Sequence, residues 1–473
     1  MSPAPTSYDQ VAYPSLIFWQ SHPEVMAVIA RLHGIDTPAV ERARILHIGG
    51  GDGLDAIAIA TSYPDADVVN IDIAADALAR GRRWSEAAGL PNVAHELIDI
   101  LDAADRLQGP FDYIAAHGIY AWVPAEVRAA VMPTIARLLA PNGVAFVSYN
   151  AMPGGYSRLA VHDMLVHHVR HIGDPAERLA IARAFLRDFA KPSDKDQPIT
   201  AAMKKEAEAA LIQSEGSFFH DIFNHYYAPQ PFLAVATDAA RNGLRYLGET
   251  GGGGFEKGFV TREDVGTTEE AWLDRLQAQD YATGRYFRSS LFVRAETQFN
   301  RRADIGKARA MWALTHAAAT DATHFKTERI SVGIADPRRA GMMHQMIAAK
   351  PGALPVDELA PDSDMLGALC HYALEGVIDL RTAPPCFTPH AGDRPIASPL
   401  ARVQVAEGED RVVALNHHWV TLDTARLKAL LVLLDGTHNR AELAQMWGSS
   451  AGDGDMSLDQ ALQILAGKAL LRA

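Results

Sequence analysis

Short apolar runs that end in glycine or in a polar residue recur through the first third of the chain. The first run, residues 45–53, is Ile-Leu-His-Ile-Gly-Gly-Gly-Asp-Gly, so four of its last five residues are glycine. Residues 54–62 follow with small alanines at helical spacing, which indicates a helix that lies close on a sheet. The pattern therefore predicts a buried strand, a glycine turn and a helix, in which glycine lets backbone amides approach a ligand.

Four later runs repeat the apolar pattern and also lead into polar residues. Residues 68–72 end in Asp72, about twenty residues after the glycines, where nucleotide-binding α/β units bind ribose hydroxyls. The other three runs lead to Asp99, His117 and Asn150. Ligands of open α/β sheets bind beyond the carboxyl ends of the strands, so we expect Gly49 and these four polar residues to face one crevice.

Helical periodicity replaces the strand pattern after about residue 155. We predict an α/β chain with a Rossmann-like sheet in residues 1–155, which includes an N-terminal lid. A helical regulatory region, residues 156–300, is expected to frame the substrate or to form a homodimer. A middle helical region, residues 301–390, and a C-terminal domain, residues 391–473, complete the chain.

The C-terminal domain combines a strand-like run at residues 411–415 with a helix predicted at residues 423–434. Small helices with short strands are typical of a winged-helix fold, a common DNA-binding module. Few basic residues cluster there, so we expect contact with protein or support of the other domains, and no binding of nucleic acid.

Composition narrows the function classes. The 473 residues include 44 basic and 57 acidic side chains, a net charge of −13 that argues against a surface for nucleic-acid phosphates. Cys370 and Cys386 are the two cysteines, so neither a disulfide framework nor a cysteine metal site is expected. The N-terminus lacks the features of a signal peptide, and no apolar stretch has the length of a membrane span. A cytoplasmic location is the expectation.

Metal binding is not predicted from the sequence. Histidines and an aspartate recur in residues 162–171, with three of them at i, i+4 spacing. No recognised ligand spacing accompanies them, so a solvated helix face explains them better.

Several motifs together resemble a known family. The glycine turn, Asp72 as the ribose acid and Asp99 as the adenine-side acid are similar to class I methyltransferases that use S-adenosylmethionine (SAM). Further segments resemble the bacterial members that carry a methyltransferase regulatory domain, including the rickettsial outer-membrane-protein lysine methyltransferases: Ser7-Tyr8-Asp9, Ser21-His22-Pro23, Phe111-Asp112-Tyr113-Ile114, residues 117–124, Val147-Ser148-Tyr149-Asn150, Phe219-His220-Asp221 and Leu434-Asp435-Gly436-Thr437.

This resemblance implies SAM as the cofactor and N-methylation of lysine side chains of a protein substrate by direct in-line transfer. The residues that it implies for cofactor binding are His47, Gly49, Gly51, Gly53, Asp72, Ile73, Asp99, Ile100 and His117. The residues expected to line the lysine channel are His117, Tyr120, Trp122, Tyr149 and Asn150. Tyr120 or His117 is the expected proton acceptor, directly or through water.

Two positions depart from the family pattern. Members usually have an acid where this chain has His47, and a tryptophan after the Pro-Gly pair, where this chain has Gly155. Asp52 and Asp55 are the two carboxylates that could replace the acid.

Two other functions remain open from the sequence. The departures motivate a second interpretation, a SAM-binding scaffold with impaired catalysis, although catalysis remains the leading expectation. A weak Gly-x-Gly-x-x-Ala match at residues 51–56 is compatible with a nicotinamide-dependent oxidoreductase, although no hydride-transfer residues accompany it.

Overall fold

The computed structural model describes residues 13–194, 196–223, 226–251, 267–449 and 456–472. The Ser7-Tyr8-Asp9 motif lies outside the described residues.

The first region alternates strands and helices as predicted. Its strands are β1 (Arg44–Ile48), β2 (Asp67–Asp72), β3 (Val93–Leu97), β4 (Phe111–Ala116) and β5 (Leu139–Asn150). Its helices are α1 (Pro23–Leu32), α2 (Leu54–Ser62), α3 (Ala75–Ala87), α4 (Ile100–Arg106) and α5 (Ala125–Leu138). Helix α1 begins after His22, whose Nδ1 accepts a hydrogen bond from the amide of Glu24 at 3.2 Å, so this histidine caps the helix.

The second region is mostly helical. Its helices are α6 (Gly155–His168), α7 (Pro175–Phe189), α8 (Pro198–Leu211), α9 (Glu215–Phe223), α10 (Phe232–Arg241) and α11 (Glu269–Thr283). It also contains β6 (Leu244–Glu249) and β7 (Phe287–Arg294). Both strands join the sheet of the first region, so the sheet is not confined to residues 1–155 as the sequence suggested. The polar run Arg288-Ser289-Ser290 is buried inside β7 and hides its strand character, because an apolar pattern is the signal for a buried strand.

The completed sheet has seven strands in the order β3-β2-β1-β4-β5-β7-β6. Strands β1 to β5 are parallel, whereas β7 pairs antiparallel with both β5 and β6. This order brings the carboxyl ends of the five parallel strands to one edge. It differs from the 3-2-1-4-5-6 order of the dinucleotide-binding Rossmann fold.

The third region contains helices and two small sheets. Its elements are the 3-10 helix Ile305–Ala310, β8 (Trp312–Thr315), β9 (Ala318–Ala319), β10 (His324–Lys326), β11 (Ser331–Gly333), α12 (Pro337–Ala348), β12 (Leu354–Pro355), α13 (Val356–Leu359), α14 (Ser363–Leu374) and β13 (Ile378–Arg381). The sequence predicted helices alone. Strands of two to four residues are too short to give a detectable alternation.

The fourth region has the predicted winged-helix character. Its elements are α15 (Pro399–Ala406), β14 (Arg411–Val413), β15 (Trp419–Thr421), α16 (Ala425–Leu433), α17 (Arg440–Ser449) and α18 (Leu458–Gly467). Strands β14 and β15 form a two-stranded antiparallel sheet.

Both faces of the seven-stranded sheet are buried. Strand β1 directs Ile45 into a core that includes α1 and α2, and directs Leu46 and Ile48 into a core that includes α5 and α10. This double burial explains the nearly continuous apolar runs of the parallel strands. Among the described residues, no helix is both long enough and apolar enough to cross a membrane.

Candidate functional site

The glycine turn after β1 leaves open space beside Gly51. Gly49, Gly51 and Gly53 have positive φ angles of 68°, 60° and 72°, which other residues rarely adopt. A Cβ added to Gly51 would meet no described atom within 4 Å. A Cβ at Gly49 would lie 2.3 Å from Ile119 Cγ2, so that glycine is needed for close packing.

Asp72 connects the end of β2 to this turn. One carboxylate oxygen accepts a hydrogen bond from the Gly51 amide at 2.7 Å, and the other accepts one from the Ala74 amide at 2.8 Å. Each oxygen keeps a second lone pair for a hydroxyl donor. Burial raises the pKa of Asp72 above its ordinary value, although both amide hydrogen bonds act to lower it.

Asn70 and His95 form a polar layer beneath the turn that the sequence did not predict. Asn70 donates from Nδ2 to the Gly51 carbonyl at 3.2 Å, and the same nitrogen lies 3.4 Å from His95 Nδ1. A Cβ on Gly53 would meet His95 Cε1 at 2.6 Å and Asn70 Nδ2 at 2.7 Å. The available signal was Asn70 itself, a polar residue in the middle of a buried strand.

The third strand ends next to the adenine-side positions. Asp99 caps α4, because its Oδ1 accepts a hydrogen bond from the Leu101 amide at 3.0 Å. Ile73 has 45% of its surface exposed, whereas Ile100 is buried. An exposed apolar side chain directly after Asp72 offers a surface to a flat ring.

His117 follows β4 and is fixed by the neighbouring strand. Its Nδ1 lies 2.9 Å from the Ser148 hydroxyl, which also accepts a hydrogen bond from the Gly118 amide at 3.0 Å. We therefore assign the serine proton to the bond with Nδ1, which leaves the imidazole proton on Nε2. Burial lowers the pKa of His117 to about 4, although Asp55 acts in the opposite direction, so the ring is neutral at pH 7.

The N-terminal segment covers this histidine. The Phe18 ring centroid lies 3.8 Å from that of His117, and the Phe18 amide donates to Asp55 Oδ1 at 2.8 Å. Ser15 also donates to Asp52. The lid thus contacts two carboxylates at the start of α2.

Asp55 provides the carboxylate beside His47. Its Oδ2 lies 3.5 Å from His47 Nδ1, and its Oδ1 is 2.7 Å from Nε2 of His417, in the C-terminal domain. Burial acts to raise the pKa of Asp55, but the charge and hydrogen bond of His417 outweigh it, and the pKa lies below its ordinary value. The other candidate, Asp52, instead pairs with Arg80 at 2.9 Å.

Tyr120 and Tyr149 have hydroxyl partners within the protein. The Tyr120 hydroxyl donates to Asp238 of α10 at 2.8 Å, and burial together with this acceptor raises the tyrosine pKa. The Tyr149 hydroxyl lies 3.3 Å from the Ser290 hydroxyl, and its side chain is buried. The two rings are neighbours, with centroids 5.9 Å apart.

Trp122 and the Pro-Gly segment lie against the second region. The Trp122 ring centroid is 4.6 Å from that of Tyr227. A Cβ on Gly155 would lie 2.5 Å from Pro229 Cβ, so Pro229 fills the space of the side chain that relatives carry there. Asn150 is buried at the end of β5, and its carbonyl accepts from the Gln230 amide at 2.9 Å.

Comparison with known proteins defines the family. A methyltransferase domain matches residues 45–143, a "Predicted methyltransferase regulatory domain" matches residues 214–294, and "PKMT, C-terminal winged helix domain" matches residues 393–473. The uncharacterized protein RP028 of Rickettsia prowazekii is 30% identical over 217 residues, which are 46% of this chain and 86% of that protein. This chain belongs to the class I methyltransferases that carry a regulatory domain. SAM is the cofactor of its methyltransferase domain, and the nicotinamide alternative is set aside.

Other relatives agree with this assignment. The uncharacterized protein RP789 of the same organism is 29% identical over 306 residues, but the matched part is 54% of its length and 62% of this chain. The solved structure of PKMT2 from Rickettsia typhi has the same fold, with a TM-score of 0.79 and 20% identity over 97% of this chain and 99% of that one. The same protein has been solved in complex with AdoHcy, with equal TM-score and coverage and 21% identity.

The glycine turn and Asp72 fit a bound SAM molecule. The open space beside Gly51 and the remaining lone pairs of Asp72 are features that suit a ribose. The methyltransferase thus places Gly49, Asp72, Asp99, His117 and Asn150 at one edge of its sheet, while Tyr120 and Tyr149 direct their hydroxyls to protein partners.

Proposed function

We propose that this methyltransferase transfers methyl groups from SAM to lysine side chains of a protein substrate. The observation that carries the cofactor side is the pairing of Asp72 with the Gly51 amide, at a turn with open space beside Gly51. The lysine side rests on the C-terminal domain match and on the likeness to PKMT2, since PKMT abbreviates protein lysine methyltransferase.

Transfer requires alignment and a neutral amine. Bound SAM supplies a methyl group on a positively charged sulfur, which is already a strong electrophile. The protein must therefore hold the lysine nitrogen in line with that bond and exclude water. A free lysine has a pKa of about 10.4, so its ammonium must lose a proton before it can attack.

His117 is poorly suited to accept this proton. Its Nδ1 is engaged by Ser148, and its pKa of about 4 makes it a weak base. We propose that the lysine side chain approaches the edge of the packed pair Trp122 and Tyr227, whose rings attract a cation. Burial among these rings lowers the lysine pKa, and the proton leaves through water.

Replacement of Asp72 tests the cofactor site. Asp72→Ala removes the acceptor of two charged hydrogen bonds, each worth about 1.5 to 3 kcal/mol, so calorimetry is expected to show SAM and S-adenosylhomocysteine binding weakened by at least about 100-fold. Asp67→Ala is the matched control, because Asp67 begins the same strand and forms an exposed ion pair with Arg44. Equal affinities for the two variants would remove Asp72 from the site.

The acceptor is tested separately. Purified protein with labelled SAM is incubated with an extract whose lysine amines are free and with the same extract after acetylation. Transfer to the free extract alone, with the label recovered as methyl-lysine, is the expected result. Tight SAM binding without transfer to either extract would favour the scaffold function, and transfer to the acetylated extract would indicate another acceptor.

A further inference from the structure

A cluster of two histidines and one aspartate lies where the third region meets the fourth. His316 directly follows β8, Asp379 lies within β13, and His418 directly precedes β15. One ligand atom from each of these residues lies within 4.8 Å of the others. These positions are far apart in sequence, so the cluster exists only in the folded chain.

The donor set is one that divalent transition metals prefer. Zinc sites with three protein ligands use histidine nitrogens and carboxylate oxygens, with water in the fourth position. His316 Nε2 is 2.9 Å from Asp379 Oδ2, and the rings of His316 and His418 have centroids 4.4 Å apart. His418 Nε2 is buried and has no hydrogen-bond partner among the described residues, so it retains its capacity to bind a ligand.

The backbone around the three residues is held by hydrogen bonds. Asp379 lies opposite Leu314 in the antiparallel pairing of β13 with β8. The Ala414 amide donates to the His418 carbonyl at 2.9 Å, which closes the turn between β14 and β15. Backbone hydrogen bonds therefore hold Asp379 and His418 in place.

His316 is the ligand that has to move. Its side chain is 38% exposed, which gives an ion a path from solvent. Zinc bonds of 2.0 to 2.1 Å place tetrahedral ligand atoms about 3.4 Å apart, whereas His316 Nε2 and Asp379 Oδ2 are 2.9 Å apart, so a rotation of the His316 ring has to open this distance. The ion would replace the direct hydrogen bond between His316 and Asp379.

We propose that His316, Asp379 and His418 form a zinc site that joins the third region to the winged-helix domain. Arg381 lies two residues beyond Asp379, and its guanidinium is 4.8 Å from the Trp19 ring centroid. Its positive charge repels a cation, so the zinc affinity is lower than it would be beside a neutral residue. The site has a connection to the cofactor pocket. His417, the neighbour of His418 with a φ of +63°, contacts Asp55 at the start of α2. Zinc would therefore fix the turn that presents His417.

Calorimetry of the full chain with zinc chloride, after dialysis against a chelator, tests the site. Wild-type protein is expected to bind one equivalent of zinc. Three variants are expected to bind zinc with at least about tenfold weaker affinity: His316→Ala, Asp379→Asn and His418→Gln. Cobalt chloride gives a second readout, because the visible absorption of bound cobalt reports nitrogen and oxygen ligands.

His324→Ala is the matched control. His324 and Asp321 form an exposed pair at the same 2.9 Å distance, outside the three-residue cluster, and this variant is expected to bind zinc as the wild type does. His316→Ala is the deciding variant because the partly exposed ring is dispensable for folding, which circular dichroism verifies. Absence of zinc binding in the wild type, or wild-type affinity in folded His316→Ala, would overturn the proposal.

Discussion

At the scale of the residue, the environment of a side chain decides its chemistry. His117 and Asp55 both lie at the carboxyl edge of the sheet, and the pKa of each lies below that of the free residue. His117 is held neutral by burial, whereas Asp55 is held ionised by His417. A carboxylate eight positions along the chain, that of Asp55, therefore lies beside His47.

The pH dependence of methyl transfer follows from the state of His117. With a histidine pKa of about 4, kcat/KM for a lysine peptide is expected to rise from about pH 7 to about pH 10, as the amine loses its proton, without an inflection near 6.5. His117→Gln is expected to keep this slope. An inflection between pH 6 and 7 that His117→Gln abolishes would identify the histidine as the base after all.

At the scale of the element, the turn between β1 and α2 depends on both backbone conformation and space. Gly53→Ala introduces a Cβ at a positive φ and within 2.7 Å of two side chains, His95 and Asn70. Gly89→Ala is the matched control, since Gly89 has a φ of +64° but no described atom within 4 Å of the added Cβ.

We expect the control to lose about 1 kcal/mol of stability from the positive φ alone. Gly53→Ala is expected to have a lower melting temperature than the control and weaker binding of S-adenosylhomocysteine, because Asn70 must shift from the Gly51 carbonyl. Thermal unfolding and calorimetry measure the two effects. Equal losses in the two variants would mean that space at Gly53 is unimportant.

The strand β7 is held to its neighbours by a buried ion network. Arg288 donates to Glu249 of β6 at 2.7 Å and to Asp280 of α11 at 2.8 Å, and all three are nearly inaccessible to water.

Arg288→Met leaves Asp280 buried without its cation and Glu249 with only the more distant Arg285 at 3.7 Å, which is expected to cost about 3 to 5 kcal/mol in the free energy of unfolding. Arg137→Met is the control, because Arg137 pairs with Asp105 on the surface and its loss should change stability little. Urea unfolding followed by circular dichroism provides the comparison. A similar midpoint for both variants would show that the network contributes no more than a surface pair.

At the scale of the whole molecule, the winged-helix domain packs on the methyltransferase domain. Arg472 donates to the Thr61 carbonyl at 2.8 Å, Ser62 donates to the Leu415 carbonyl at 3.1 Å, and Trp84 donates to Glu407 at 2.6 Å. The first two contacts lie at the end of α2, whose beginning contacts His417. The helix that follows the glycine turn is thus bound to the C-terminal domain at both ends.

Acid is expected to destabilise the molecule through its buried histidines. Burial lowers the pKa of His22, His33, His47, His95, His117 and His418 below 6.5. A histidine with a lower pKa in the folded state contributes stability that is complete above about pH 6.5 and is lost as pH falls toward about 4, since the unfolded chain then binds more protons.

Melting temperature is therefore expected to fall between pH 7 and about pH 4. Glu24, Asp72 and Asp221, whose pKa values are raised by burial, offset a part of this loss. His95→Gln, which removes one such histidine, is expected to flatten the decline. A melting temperature independent of pH in this range would show that these rings are accessible to protons in the folded state.

The sequence determined the local units of this protein. The strand, glycine turn and helix of residues 45–62 and the strand that ends in Asp72 were predictable, because apolar period and glycine act over a few positions. The α/β class and the C-terminal winged-helix fold followed from the same local signals.

Only the tertiary structure decided which distant residues meet. The bond between Asp55 and His417 joins positions 362 residues apart, and the cluster of His316, Asp379 and His418 brings together three separate elements. The insertion of β7 beside β5 likewise depends on a buried arginine whose partners lie on other elements. Such contacts leave no periodic trace in the sequence, because their energy arises from burial and pairing after the chain has folded.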